Sequence, residues 1–246
     1  MTSSPQDLKS VYNDIPERLA RIRERIAEAA GRAGRNTDAV RLIAVSKTHP
    51  IEAVRAAVDA GQRDFGENKV QEALQKIAQS PDNSLRWHLI GHLQSNKARK
   101  AAAAVGSIHA IDSIELLNKV DQAAREASRA VEVLIQVDLA LEDTKHGAPV
   151  TEVADIVRAA ENCTAARLVG LMLLPPMAEN PEDARPWFAR LRGLRDELVD
   201  SGVAAERLRE LSMGMSHDFE VAIEEGATMV RVGTAIFGER SYGQPA

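Results

Sequence analysis

The sequence predicts a single α/β domain, a closed (β/α)8 TIM barrel. Three observations carry that expectation. Eight short apolar runs alternate strictly with helical stretches along most of the chain, and strict alternation means a parallel sheet. Eight such units suit closure into a barrel, and 246 residues is an ordinary length for one. No GxGxxG motif follows any of the runs, which weighs against the next best arrangement, an open doubly wound sheet.

Residues 1–5 are small and polar and read as a loose end. From Gln6 to Gly34 the period is helical, with Leu8, Val11, Ile15, Leu19, Ile22 and Ile26 recurring at three- and four-residue steps. Pro16 offers a break inside this stretch, and Gly31 and Gly34 close it. The run Arg21 to Arg25 reads as a solvated helix face of mixed-sign pairs. Residues 1–35 are therefore an N-terminal helical extension, and 36–246 form the barrel. Strand-like runs follow at 41–46, 64–67, 86–90, 107–111, 131–138, 166–174, 208–212 and 229–233. Helical stretches lie between them at 50–60, 69–79, 96–104, 113–129, 149–160, 181–200 and 216–225. In the first run, Leu42 to Val45 is apolar throughout, as in a strand buried on both faces.

Composition narrows the function. Hydrophobic residues make up 44% of the chain and aromatics only 3%, so the core is aliphatic. A net charge of −5 argues against non-specific nucleic-acid binding, which wants a basic face. The single cysteine, Cys163, excludes an internal disulfide and a multi-cysteine metal site, and reads as a small apolar filler. The histidines at 49, 88, 92, 109, 146 and 217 show no HExxH or paired spacing, so no metal is expected. No GxSxG nucleophile motif occurs. Nothing resembles a signal segment, and no apolar run reaches the roughly 18 residues that a membrane span requires. The expected setting is cytoplasmic, with no membrane partner.

In a barrel, residues just past the strands share one face, where the chemistry is placed. Lys47 follows the first strand. It is either a surface lysine at a strand end or an amine in a partly dry pocket, ready to form a Schiff base. Glu67 and Asn68 follow the second, where Asn68 is a helix cap or a ligand contact. His88 sits within the third run, as a hydrogen-bonded core residue or a catalyst. After the sixth comes Met172 with Leu173-Leu174-Pro175-Pro176. Met213-Gly214-Met215-Ser216 follows the seventh, with Ser216 where a helix cap would stand. Arg231 lies in the eighth, as an ion-pair residue or a ligand contact, with Gly233 and Thr234 after it. The last two loops are ordinary glycine turns or an anion cradle, and barrels usually hold phosphate after strands 7 and 8. An amine on strand 1 and a cradle on strands 7 and 8 would together take an aldehyde that carries a phosphate. Pyridoxal 5′-phosphate is such a ligand. Arg231 would then face the ring nitrogen, keep it unprotonated and weaken the ring as an electron sink.

The chain resembles the pyridoxal phosphate homeostasis protein family. The resemblance rests on Ala44-Val45-Ser46-Lys47-Thr48, Phe65-Gly66-Glu67-Asn68, Trp87-His88-Leu89-Ile90-Gly91-His92-Leu93-Gln94, Lys145-His146-Gly147 and Gly170-Leu171-Met172. It continues through Leu211-Ser212-Met213-Gly214-Met215-Ser216 and Val230-Arg231-Val232-Gly233-Thr234. It implies a single barrel like the N-terminal domain of alanine racemase, with pyridoxal phosphate on Lys47. It also implies that Ser216, Gly233 and Thr234 hold the phosphate, that Arg231 faces the ring nitrogen, and that Asn68, His88 and Met172 are lesser neighbours. It further implies a protein that binds and hands on the cofactor, with the apo-forms of pyridoxal phosphate enzymes as recipients, and no turnover of its own. The alternatives are an amino-acid racemase on the same barrel and an aldolase-type barrel acting on a sugar phosphate. Racemisation needs an acid/base on each face of the α-carbon. Lys47 serves one face only. In alanine racemase the opposing tyrosine comes from a second domain, for which only fifteen residues remain after Arg231. The chain is accordingly expected to be a monomeric carrier.

Overall fold

The structure, a computed structural model, describes residues 12–80, 84–140 and 146–238. Eight parallel strands close on themselves. They are β1 (Arg41–Val45), β2 (Asp64–Glu67), β3 (Arg86–Leu89), β4 (Ser107–Ile111), β5 (Val131–Asp138), β6 (Ala166–Met172), β7 (Glu210–Met215) and β8 (Met229–Val232). Each pairs with its neighbour in sequence, and β8 returns to β1 with Ile43 beside Arg231. The two-residue strand Ala148–Pro149 adds to the end of β5. This is the barrel that the alternation predicts.

The helices between them are α2 (Ile51–Asp59), α3 (Val70–Gln79), α4 (Ala98–Ala104), α5 (Ile114–Glu126), α6 (Val150–Ala160), α7 (Arg185–Asp200), α8 (Phe219–Glu224) and α9 (Thr234–Phe237), preceded by α1 (Ile15–Arg32). Alternation along each strand divides the core in two. Outward residues such as Leu42, Ala44, Phe65 and Leu89 join the helices in one large aliphatic cluster. Inward residues Ile43, Leu134, Val169, Met172 and Met229 form a small separate cluster on the axis. The short inward cluster leaves room inside the barrel for polar side chains.

In the described residues α1 begins at Ile15, with Pro16 in its first turn, where a missing N–H is harmless. The earlier part of the expected helix, including Leu8 and Val11, lies outside the described residues. Gly31 stays within the helix, and Gly34 takes the left-handed conformation after it, at φ +66°. The face read as solvated is half engaged. Arg25 makes a two-pronged ion pair with Glu220 and lies over the Phe219 ring, while Arg23 donates to the Ala60 carbonyl. These bonds seat α1 on α8 and on the loop before β2.

The clearest departure from expectation is β7. The sequence places it at 208–212, but the strand runs from Glu210 to Met215 and a 3-10 turn occupies Ala205–Leu208. Gly214 is the reason. At φ +91° it lets the strand bulge instead of stopping, and a Cβ there would sit 2.6 Å from that of Ala222. No helix of the described residues is long and apolar enough to cross a membrane.

Candidate functional site

Two inward rows climb to the carboxyl end of the barrel side by side. On β8 the row is Met229, Arg231 and then Gly233; on β1 it is Ile43, Val45 and then Lys47. The register pairs Ile43 with Arg231 and Ala44 with Val232. Ser46 still donates to the Gly66 carbonyl, at 3.1 Å, so the chain remains extended up to Lys47. Alternation then gives Lys47 the inward parity of Ile43 and Val45. Gly233 packs directly on β1, since a Cβ on it would lie 3.2 Å from the Val45 carbonyl oxygen. Standard bond lengths then put the Lys47 Cα at most roughly 11 Å from that of Gly233. Lys47 is half-buried.

Ser216 reaches the same place from the neighbouring strand. Its hydroxyl accepts the Gly233 N–H at 3.2 Å, so the loops after β7 and β8 are joined. Ser216 does not cap α8. Asp218 occupies the cap position, and its carboxylate takes the Met215 N–H at 2.6 Å, which folds the loop tightly. Burial raises the Asp218 pKa against that bond and against Arg231. Thr234 is exposed and opens α9, whose first amides lie outside the helical ladder.

Arg231 is almost fully buried beneath these loops. It donates to the Leu173 carbonyl and to the Ser212 hydroxyl, both at 2.8 Å. Burial lowers its pKa to about 10, with Asp218 opposing the shift, so it remains a cation at neutral pH. Its bond to Ser212 starts a chain that crosses the barrel interior. Ser212 Oγ is 2.9 Å from His109 Nδ1, His109 Nε2 is 3.0 Å from His88 Nδ1, and His88 Nε2 is 2.9 Å from Asp64. Burial lowers the pKa of both histidines, outweighing Asp64 in the case of His88; His88 and Arg231 depress His109 further. With both rings neutral, one proton arrangement satisfies every link. Arg231 donates to Ser212, Ser212 to His109, His109 to His88 and His88 to Asp64. Burial pushes the Asp64 carboxyl up, but His88, Arg86 and Arg41 hold it low.

The other expected residues fall at different depths. Met172 is fully buried in the axial cluster. His88 is fully buried and bonded to Asp64 and His109. Asn68 is half-buried at a cavity of about 330 Å³ shared with His92 and Lys97. Of the Lys145-His146-Gly147 stretch, Lys145 lies outside the described residues, while the His146 ring stacks on His92 at 3.6 Å. Sequence reading missed Asp64, His109 and Ser212. Apolar residues flank His109 and Ser212, but Asp64 follows Arg63 and carries no such signal.

The arrangement can fix an anion at the Ser216–Gly233 junction, direct a buried cation at the same ligand, and offer an amine from β1. Residues 18–241 match the alanine racemase N-terminal domain model, so fold and site define a barrel of that class. A pyridoxal phosphate homeostasis protein of Aquifex aeolicus (strain VF5) is 45% identical over 226 residues, covering 92% of this chain and 98% of the relative. PipY of Synechococcus elongatus PCC7942, in its structure with PLP bound, is 40% identical with a TM-score of 0.81, covering 91% of this chain and all of PipY. Alanine racemase of Clostridium difficile 630 shares the fold at 14% identity and a TM-score of 0.72, over 57% of its own chain. The chain belongs to the pyridoxal phosphate homeostasis protein family.

Proposed function

We propose that this chain binds pyridoxal 5′-phosphate, holds it on Lys47 as a Schiff base, and buffers and hands on the cofactor in the cytoplasm without turning over a substrate. The observation that carries the reading is the seating of Gly233 on Val45, which keeps the Gly233 Cα, whose amide joins Ser216, within roughly 11 Å of the Lys47 Cα. When bound, the cofactor would supply an aldehyde with which the Lys47 amine could form a Schiff base, with loss of water. The chain's own residues do the rest. Ser216, Gly233 and Thr234 would hold the phosphate, and Lys47 would anchor the aldehyde end. Arg231, locked by Ser212 and the Leu173 carbonyl, would face the ring nitrogen as a donor. A guanidinium still charged at pH 7 leaves that nitrogen no proton, which suits storage better than carbanion chemistry. Asn68 would border the bound cofactor, Met172 would lie beneath it, and His88 would act through His109 and Ser212.

Relatives support the carrier reading. PipY is recorded with PLP bound, and the homeostasis protein of Aquifex aeolicus matches this chain over 98% of its own length. Its recipients would be the apo-forms of enzymes that use the cofactor. The test is the absorbance of purified protein incubated with pyridoxal phosphate. An imine band that disappears in Lys47→Ala is expected, and a band that persists in the variant refutes the assignment. Exchange of an amino-acid α-proton into D₂O separates carrier from racemase: none is expected, and robust exchange with any common amino acid would overturn the carrier reading.

A further inference from the structure

A charge cluster on the outer side of β1 and β2 grips the chain on both sides of Lys47. Its hub is Lys76 of α3, whose side chain is 6% exposed. The ammonium donates to Glu67 and to the Ser46 carbonyl at 2.6 Å each, and to Glu72 at 2.8 Å. That spends all three of its protons. The Ser46 hydroxyl donates to Glu67 at 2.6 Å, and the Thr48 N–H donates to Glu72 at 2.5 Å. Thr48 sits at φ +67°, a conformation that a β-branched residue rarely adopts and that persists only when its surroundings dictate it. Lys47 lies between these two tethered residues.

The barrel does not need this cluster for packing. Burying an ion pair stabilises a fold little, and apolar residues of similar size would fill the space as well or better. Here Glu67 is fully buried, and its second oxygen has no hydrogen-bond partner in the structure. What the cluster achieves is local: it sets the backbone direction at one residue.

We propose that Lys76 and Glu72 are positioning residues, which fix the Ser46–Thr48 backbone so that the Lys47 amine is aimed at the aldehyde of its ligand. The inference rests on the reading of Lys47 given above. Its consequence is selective. A ligand that bonds Lys47 depends on the aim of that side chain, whereas one held only by its ring and phosphate does not.

Pyridoxine 5′-phosphate provides the comparison, since it carries an alcohol in place of the aldehyde. Glu72→Ala removes the acceptor from the Thr48 N–H at a partly exposed position, so folding should survive. It should weaken pyridoxal phosphate binding and slow borohydride-trappable attachment by about 10-fold, as loss of orientation does. Affinity for pyridoxine 5′-phosphate should stay unchanged. Glu72→Gln, which keeps an acceptor oxygen, should restore most of the loss, and Lys76→Met should repeat it. Unchanged pyridoxal phosphate binding in Glu72→Ala, or an equal loss for both ligands, would overturn the proposal. Failure of the wild-type protein itself to attach pyridoxal phosphate would instead refute the reading of Lys47, so the two failures are distinguishable.

Discussion

At the scale of single residues, Gly214 and Ser216 make the sharpest claims. Gly214 combines φ +91° with a space too small for a methyl group. Gly214→Ala should therefore destabilise the fold by about 1–3 kcal/mol, since both strain and overpacking act on it. A urea midpoint equal to that of the wild type would show that the β7 loop is looser than described. Ser216 holds the Gly233 amide at 3.2 Å, and its hydroxyl can turn a proton toward a ligand. Ser216→Ala should weaken pyridoxal phosphate affinity by roughly 1–3 kcal/mol if that hydroxyl bonds a buried phosphate oxygen. An unchanged dissociation constant would remove Ser216 from the site. The site candidates were named at this scale because they stand within or shortly after apolar runs, as Lys47 and Asn68 do. Lys76 was not. One lysine among the polar positions of α3 looks like any solvated side chain, and only the fold turns it inward onto Glu67.

Between elements, the chain from Arg231 to Asp64 ties β8, β7, β4, β3 and β2 through the barrel interior. Removing its middle member strands its neighbours. His109→Leu should destabilise the protein by about 1–3 kcal/mol for each buried group left unpaired. Its pH dependence follows from the two depressed histidines. Above the unfolded value of 6.5 both states are neutral, and the contribution to stability is complete. As pH falls below 6.5 the unfolded chain takes up protons first. Stability then declines by up to about 1.4 kcal/mol per pH unit for each histidine, until the folded values are reached. Denaturant unfolding at pH 7, 6 and 5 should show this decline, and His109→Leu should flatten it. Equal slopes would mean that His109 titrates alike in the folded and the unfolded chain. This chain could not be read from the sequence. His88 and His109 stand 21 residues apart and His109 and Ser212 stand 103 apart, so only barrel closure brings them together.

For the molecule as a whole, the barrel was legible because its strands are short apolar runs with helices between them. Runs such as 64–67, 107–111 and 131–138 coincide with the observed strands. The reading slipped at β7, where a glycine inside the strand mimics the end of one. The interior of the closed sheet holds the axial cluster with Met172 and Met229 and the buried polar crossing, and the proposed cofactor site lies at the carboxyl ends of β1, β7 and β8. The direct measurement is borohydride reduction of the protein after loading with pyridoxal phosphate, followed by digestion and mass analysis. A single stable adduct is expected, on the peptide that carries Lys47. An adduct confined to other lysines, or none, would contradict it.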